Sequence, residues 1–554
     1  MAIEWSERQK SAIFTKDKNI LVSASAGSGK TAVLSERIVN LVMDEHIDID
    51  KFVVVTFTRL AASEMKTRIA KKLNKRKENA TKEEKDFIDE QIILLEKANI
   101  STLDSFNISL LRDYFYMIDL EPNFKVIDNV DNELLAKDIM DKLFDKYYKE
   151  HDEKFLKLIA MYSAERTDDG LKNVIRELYN YITNVPDSDY VLDNLLNEYD
   201  AENIENSIYY KTFKEYANKI LDEYINDLKD YIDIHDILLN ELKLLKDLKD
   251  AINESYDKAY DIIYAKEKFE TLRFPKDTDE STKTYVKKIR EDYKAFFDKL
   301  KKKYFKSNSE KFKEEVSYMK PYLERLVSLT KEYKEMLFND KKKNNIYDFN
   351  DLAHLTIKLL VDDNGNPTDI AKSLKNTYSY IICDEYQDVN LIQETILNAI
   401  ARSGKESNMF MVGDVKQSIY GFRNADSDIF TNKYNDYKSN RDDNNMKIDL
   451  NQNYRSRIEV LNSINYVFEK IMLSDIGGIE YDEEMALRYG DGYIENDMDH
   501  KTEFIILPTA KYLNQKAKEE NKETNANDNS NDENQSDEIS EEINELKNGI
   551  IQAK

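Results

Sequence analysis

The chain has 554 residues, 41% apolar and 34% charged, enough for about three or four domains with ordinary hydrophobic cores. No apolar run could cross a bilayer, Met1–Lys10 lacks a secretory pattern, and the lone Cys383 excludes an internal disulfide, so a cytoplasmic, non-membrane protein is expected. A net charge of −26 excludes a uniformly basic nucleic-acid-binding surface but not a local basic groove, and five scattered histidines with one cysteine exclude a Cys/His metal cluster.

In chain order, the first clear element is the apolar strand Asn19–Ser23 (NILVS). It runs into Ala24-Ser25-Ala26-Gly27-Ser28-Gly29-Lys30-Thr31 and then a helical run, TAVLSERIVNLV. Strand, glycine-bearing loop, Lys-Thr and helix together specify a phosphate-binding loop. The glycines let backbone N–H groups turn around phosphate oxygens, and the helix N-terminus adds its dipole. Lys30 is expected to reach the β- and γ-phosphates of ATP, with the Thr31 hydroxyl on Mg2+. The strict pattern has glycine at position 24, where this chain has alanine.

A second strand, Phe52–Thr56 (FVVVT), leads to Phe57 and a helix rich in Arg59, Lys66, Lys71, Lys72, Lys75, Arg76 and Lys77, which either follows a phosphate backbone or is a solvated face. From about Val130 to Asn345 apolar residues recur at three- and four-residue steps, with no glycine between Gly170 and Gly365, as in long amphipathic helices. The Lys/aromatic run Lys299–Lys313 lies there and has the same two readings. Three further strands come next, Tyr380–Asp384 (YIICD), Phe410–Asp414 (FMVGD) and Lys447–Leu450 (KIDL). Chemistry at strand C-termini and strand–helix alternation indicate an open parallel α/β sheet, split by the helical block. At the tip of YIICD, Asp384 is expected to hold Mg2+ and the adjacent Glu385 to polarise the attacking water. The polar, acidic stretch Gln515–Glu542 reads as disordered.

These segments, in order, are Gln9 in WSERQKSAI, the phosphate loop, Val53–Arg68 (VVVTFTRLAASEMKTR), ISTLDSF, DEYQD, Val412–Asp426 (VGDVKQSIYGFRNAD) and LNQNYRSR. Together they resemble the motifs of superfamily 1 helicases of the UvrD/Rep type, and among them the A subunits of bacterial AddAB (RexAB) ATP-dependent helicase–nucleases. The resemblance implies a RecA-like P-loop domain in two parts, 1–129 and 346–446. A helical insertion would occupy 130–345 and the beginning of a second RecA-like domain 447–514, with an acidic tail carrying a terminal helix at 515–554.

It also implies roles. Gln9 reads the adenine edge, Arg37 lies beside the base, Tyr454 stacks on its face and Arg68 supports the nucleotide. Arg455 acts as an arginine finger, and Gln417 senses the γ-phosphate. Phe57, Tyr420 and Phe422, with Arg59, are expected to carry single-stranded DNA, since stacking contributes about 1–3 kcal/mol per base whatever the sequence. Phe422 stands where the family usually has tryptophan. Asp104 stands where it usually has histidine, and its carboxylate would repel a phosphate. The implied partners are single-stranded and duplex-end DNA and a B-type helicase–nuclease subunit in a heterodimer. The family's later helicase motifs and nuclease domain are not in this sequence, which reads as a fragment or truncated product or as having the remainder on another chain, and no nuclease activity is expected of this chain alone. Two other readings stay open: a stand-alone UvrD-type repair helicase, and a nucleotide-dependent DNA-binding module that does not unwind.

Overall fold

A computed structural model describes residues 4–162, 167–197, 204–266, 268–438, 443–473, 479–490 and 502–503. The acidic tail and its expected terminal helix, 515–554, lie outside the described residues. The chain divides into two units, Met1–Leu450 and Asn451–Lys554.

The first unit is built on β1 (Asn19–Ala24), β2 (Phe52–Val55), β3 (Asn99–Ser101), β4 (Tyr380–Asp384), β5 (Met409–Gly413) and β6 (Asn445–Leu450). They form one sheet in the order β3-β2-β4-β5-β1-β6, and every pairing is parallel. Val54 sits opposite Ile100 and Ile382, and Val22 opposite Val412 and Ile448. Strand residues of one face, among them Ile20, Val22, Val54, Ile382 and Val412, share a core with Leu34, Ile38 and Leu95 of the covering helices. The alternate residues Leu21, Val53, Ile381 and Met411 are as deeply buried. A parallel sheet covered on both faces demands such continuous apolar runs in place of alternation. This is the RecA-like α/β architecture expected from the sequence.

Strand β6 alters one expected boundary. Lys447 lies inside β6, which pairs along the whole of β1, and Ile448 is in the core. The first unit therefore ends after Leu450, not at 446. In sequence KIDL runs into LNQNYRSR, sharing Leu450 with it, and so reads as the opening strand of the second domain.

The helices interrupting the sheet lie between two short stretches, Lys125–Val126 and Ile346–Tyr347, which pair in parallel. They run from Asn129–Glu150 to Ser309–Lys343 and pack into two main cores. One contains Leu143, Phe144, Phe155, Leu329 and Tyr333, the other Phe213, Leu221, Leu245, Tyr293 and Phe305. The 35-residue helix Ser309–Lys343 touches both, with Phe312 against the second and Leu326–Leu337 in the first. Near its end the enclosed ammonium of Lys341 lies 2.6 Å from Asp348 and 2.9 Å from Asp351. Those carboxylates cap the helix Phe349–Leu360, so one lysine ties the exit of the insertion to the returning domain.

In the second unit Gln452–Asn453 pairs in parallel with Arg488–Tyr489. The helix Ile458–Ile471 presents Asn465, whose side chain accepts from the Tyr481 hydroxyl and the Leu487 N–H and donates to the Leu487 carbonyl.

Inside the second insertion core, Arg290 grips Glu241 through Nε (2.8 Å) and Nη2 (2.7 Å), with both side chains buried. Removing one partner leaves an uncompensated buried charge. Glu241→Ala is expected to lower unfolding free energy by about 3–5 kcal/mol in denaturant titrations, and Glu241→Met/Arg290→Leu by clearly less. Equal losses in the two variants would show that the pair's charge is not what matters.

Candidate active site

Helices α1 (Glu7–Phe14) and α2 (Lys30–Asp44) flank the end of β1. Between β1 and α2 the backbone turns through positive φ at Gly27 (75°) and Gly29 (84°), a conformation that carries little strain only for glycine. Gly29 caps α2, so the cradle faces the helix N-terminus. Ala24 pairs with Leu450 as the last residue of β1, and its extended backbone explains why alanine serves there. Ser25 donates its N–H to the Leu450 carbonyl, Ser28 donates back to the Ser25 carbonyl, and Ala26 lies between them. The Ser28 hydroxyl is buried in the turn without a protein partner. Positive-φ glycines, an orphaned hydroxyl and a helix N-terminus fit a bound triphosphate.

Gln9 lies beside this loop. Its Oε1 accepts from the Ser6 N–H in a capping box, and its Nε2 donates to the Ser28 carbonyl at 3.0 Å. One donor and one acceptor position remain on the amide for a base edge. A Cβ at Gly29 would come within 3.3 Å of that Nε2, so glycine keeps loop and glutamine in contact.

The Arg37 guanidinium is enclosed beneath α1, donates to the carbonyls of Ala12 (2.9 Å) and Thr15 (2.7 Å), and lies 4.4 Å over the Phe410 ring. Burial brings its pKa down to about 10. Its hydrogen bonds all run from Nη1 to backbone carbonyls at the end of α1, while Nε is buried without a partner, so Arg37 ties α2 to the helix that carries Gln9. Arg68 is half exposed on α3 (Arg59–Lys77), with Glu64 at 3.9 Å as its ion partner. One turn further on, Lys72 reaches the Ala32 carbonyl of α2, so Arg68 stands on the side of α3 nearest the loop. Part of the basic series on α3 is engaged: Lys72 and Arg76 pair with Glu36, and Lys77 with Asp89. Those three side chains serve helix packing.

The decisive contact is between segments 355 residues apart. Lys30 Nζ lies 2.5 Å from Glu385 Oε2. The sheet order causes it: only β5 separates β4 from β1, and their parallel C-terminal ends open on the same edge. Thr31 follows Lys30 in the first turn of α2. Glu385 has φ 54° and ψ 45°, left-handed for a non-glycine residue. Such backbone costs on the order of 1–3 kcal/mol and turns Glu385 away from the line of β4, so the paired acids diverge. Asp384 stays on the strand tip, nearly buried, its pKa pushed up to about 6 by burial, against the opposing Lys30 charge and with a smaller push from the Glu385 charge. Asp388 is also pushed up to about 6, chiefly by burial. Among the described residues no group of three or more His, Cys, Asp or Glu could hold a metal alone. Mg2+ takes one or two carboxylates and completes its shell with phosphate and water; Asp384 and Thr31 would be its protein ligands.

Beyond β5 the chain makes two short turns, Val415–Gln417 and Gly421–Arg423. Gln417 donates its amide to Asp414 at 2.8 Å. Tyr420 packs against Phe57 with ring centroids 4.5 Å apart and the planes tilted by 30°, Phe422 lies 5.8 Å from Tyr420, and Arg423 leans over both turn aromatics. Phe422 is 78% exposed, the arrangement of a surface platform and not of a core. Phe57 and Tyr420 border a cavity of about 220 Å3 that reaches Asp104, Asp384 and Asp388. Asp104, left out of the expected DNA set, is raised in pKa by burial there, and the Arg59 charge opposes the rise. In the second unit, Tyr454 bonds Gln452 through its hydroxyl, and its ring lies so close to Gly490 that a Cβ there would sit at 2.6 Å. The Arg455 N–H is held by Asn453.

One residue of DEYQD escapes the sequence reading. The Gln387 amide bonds Glu385, Asp388 and the backbone of Asp414. The available signal is Gly413 in VGD: a Cβ there would lie 2.5 Å from Gln387 Oε1.

A family model described as UvrD/REP helicase N-terminal domain matches residues 5–268 and 263–438. The A subunit of the ATP-dependent helicase/nuclease of Clostridium beijerinckii is 35% identical over 515 residues, covering 89% of this chain and 41% of that protein. The protein of the same description from Clostridium botulinum is 36% identical over 514 residues, covering 88% and 41%, and that from Clostridium acetobutylicum 37% over 554 residues, covering 93% and 44%. The chain thus spans about two-fifths of the length of these curated relatives.

The raised pKa of Asp384 has a measurable sign. With a folded value above the unfolded one, the cost of its buried charge is present above about pH 6 and fades as pH falls towards 4. Asp384→Asn is therefore expected to stabilise the chain at pH 8 by roughly 2–3 kcal/mol, at about 1.4 kcal/mol per pKa unit, and by only about 1 kcal/mol at pH 4.5. Thermal melts at the two pH values check it, and destabilisation at pH 8 would contradict it.

Proposed function

The chain belongs to the UvrD/REP helicase family, and from that premise we propose that it is the ATP-driven motor portion of a helicase–nuclease subunit. In this reading it hydrolyses ATP to move along single-stranded DNA during double-strand break repair and recombination. The layout is a RecA-like domain in two parts around the helical insertion, followed by the start of a second such domain. Its partners are DNA and a B-type helicase–nuclease subunit, and its location is the cytoplasm.

The observation that carries the reading is the Lys30–Glu385 contact across the ends of β1 and β4. ATP is the substrate, held by the loop 24–31, with Gln9 at the base and Arg68 beside the nucleotide. Asp384 and Thr31 would hold Mg2+, whose charge would offset that of the phosphates. Lys30 exchanges its carboxylate partner for phosphate oxygens, and this frees Glu385 to orient water and accept its proton at Oε2. The Arg37 guanidinium keeps α1 in place and Gln9 against the loop. Gln417 senses the γ-phosphate from the turn just before the one that carries Phe422, with Tyr420 between them, so occupancy of the site and the grip on DNA share one short segment. Phe57, Arg59, Tyr420 and Phe422 form the DNA track. Tyr454 and Arg455 keep the roles that the resemblance gives them.

Lys30→Ala is expected to cut ATP hydrolysis in the presence of single-stranded DNA by about 10²–10³-fold, measured as phosphate release. Unchanged hydrolysis would refute the reading. If the unsubstituted chain retains oligonucleotide on filters but releases no phosphate in its presence, the DNA-binding module is favoured over the motor.

A further inference from the structure

Gln387 is 1% exposed, and all its amide atoms are engaged. Nε2 donates to Glu385 Oε2 at 2.9 Å and to Asp388 Oδ2 at 3.0 Å. Oε1 accepts the Asp414 N–H at 2.9 Å. Its own carbonyl accepts from the Ser418 hydroxyl at 3.3 Å. Asp414 in turn is buried, with Lys416 at 2.8 Å on one carboxylate oxygen and the Gln417 amide at 2.8 Å on the other. One planar amide therefore bridges the water-activating carboxylate after β4 and the first residue after β5, from which the Gln417–Phe422 turns depart.

Two physical features make this bridge directional. Glu385 Oε2 is shared between Lys30 and Gln387. Once Lys30 turns to phosphate, Gln387 is the donor that remains on that oxygen, and it fixes where the carboxylate points. The same amide donates to an anion and accepts from a backbone N–H, and each bond polarises the other. Gly413 leaves no slack, since its missing Cβ is what lets the bridge form. A shift of Glu385 is thus carried to Asp414 and on to the Gln417 and Tyr420 turns.

We propose that Gln387 is a positioning residue that couples the nucleotide site to the DNA-binding turns, holding Glu385 on one side and the Asp414 backbone on the other. The assignment rests on the motor reading above. Coupling energies between sites are reciprocal and commonly change affinity by about 5–150-fold.

The test measures the affinity of a fluorescent oligodeoxythymidine with and without the non-hydrolysable adenosine 5′-(β,γ-imido)triphosphate, for the unsubstituted chain and for Gln387→Met and Gln387→Glu. In the unsubstituted chain the analogue should change oligonucleotide affinity by about tenfold. In Gln387→Met, close to isosteric but without the amide, that ratio should fall below about twofold, while each ligand alone binds within about twofold of normal. Gln387→Glu keeps the acceptor for Asp414 and replaces the donor with a second negative charge beside Glu385, and should also lose the coupling. Where phosphate release is measured as well, both variants should lose about tenfold or more in kcat with KM little changed. A preserved affinity ratio in either folded variant overturns the proposal. Loss of binding for each ligand separately, with a lowered melting temperature in both variants, also overturns it, because Gln387 would then be a packing residue. Failure of the unsubstituted chain to hydrolyse ATP, with analogue coupling intact, counts against the motor reading alone. Failure to bind the analogue ends both.

Discussion

A parallel sheet obliges all its strands to end on one edge, and the site depends on that constraint. β1 delivers Lys30 and β4 delivers Asp384 and Glu385 to the same edge, with β5 between them bringing Asp414. The chain reaches the second of these points only after hundreds of residues, yet the contact is a short ion pair. No local rule produces such proximity. It arises from the pairing of Val22 with Val412 and of Cys383 with Met411, two registers set by continuous apolar runs buried on both faces.

The same geometry explains how a large helical block can be inserted without disturbing the site. The chain leaves after β3 and returns before β4, and the two crossing points pair with each other at Lys125–Val126 and Ile346–Tyr347. Contacts within the insertion are its own: two cores, a buried Glu241–Arg290 pair, and a long helix that touches both cores. At the neck a single enclosed lysine, Lys341, satisfies two carboxylates of the returning helix. A buried charge triad of this kind specifies geometry more than it adds stability, because desolvation offsets much of the attraction.

Much of this is legible in the residues, and the failures are instructive. The phosphate loop is readable because glycine, lysine and threonine at fixed steps after a strand have few other uses. The Asp384–Glu385 pair is readable because two acids at a strand tip are out of place in a core. What the motif order does not show for Arg37 is its depth beneath α1 and its bonds to the carbonyls there, which are tertiary facts. The basic run on α3 is ambiguous because its partners Glu36 and Asp89 come from other helices. The boundary at 447 fails since strand membership is set by pairing with β1, far away in the chain. Gln387 escapes notice because a glutamine's function lies in what its two ends touch, and both partners are fixed only by the fold.

The cluster at the sheet edge is poorly built for stability and well built for chemistry. Glu385 holds a left-handed backbone, Asp384 and Asp388 are acids whose ionisation burial opposes, and Ser28 keeps a hydroxyl without a protein partner. Each is a cost the fold bears only because the surrounding core over-determines the geometry. All four lie where a triphosphate and its cation would bring the missing charge and hydrogen bonds. In the proposed motor, the chain would store strain at the place where a triphosphate would relieve it, and binding energy would be available to reorder the carboxylates. Through the Gln387 bridge that reordering has one short covalent route onward, from Asp414 to the aromatic turn at Tyr420, where Phe57 packs against it.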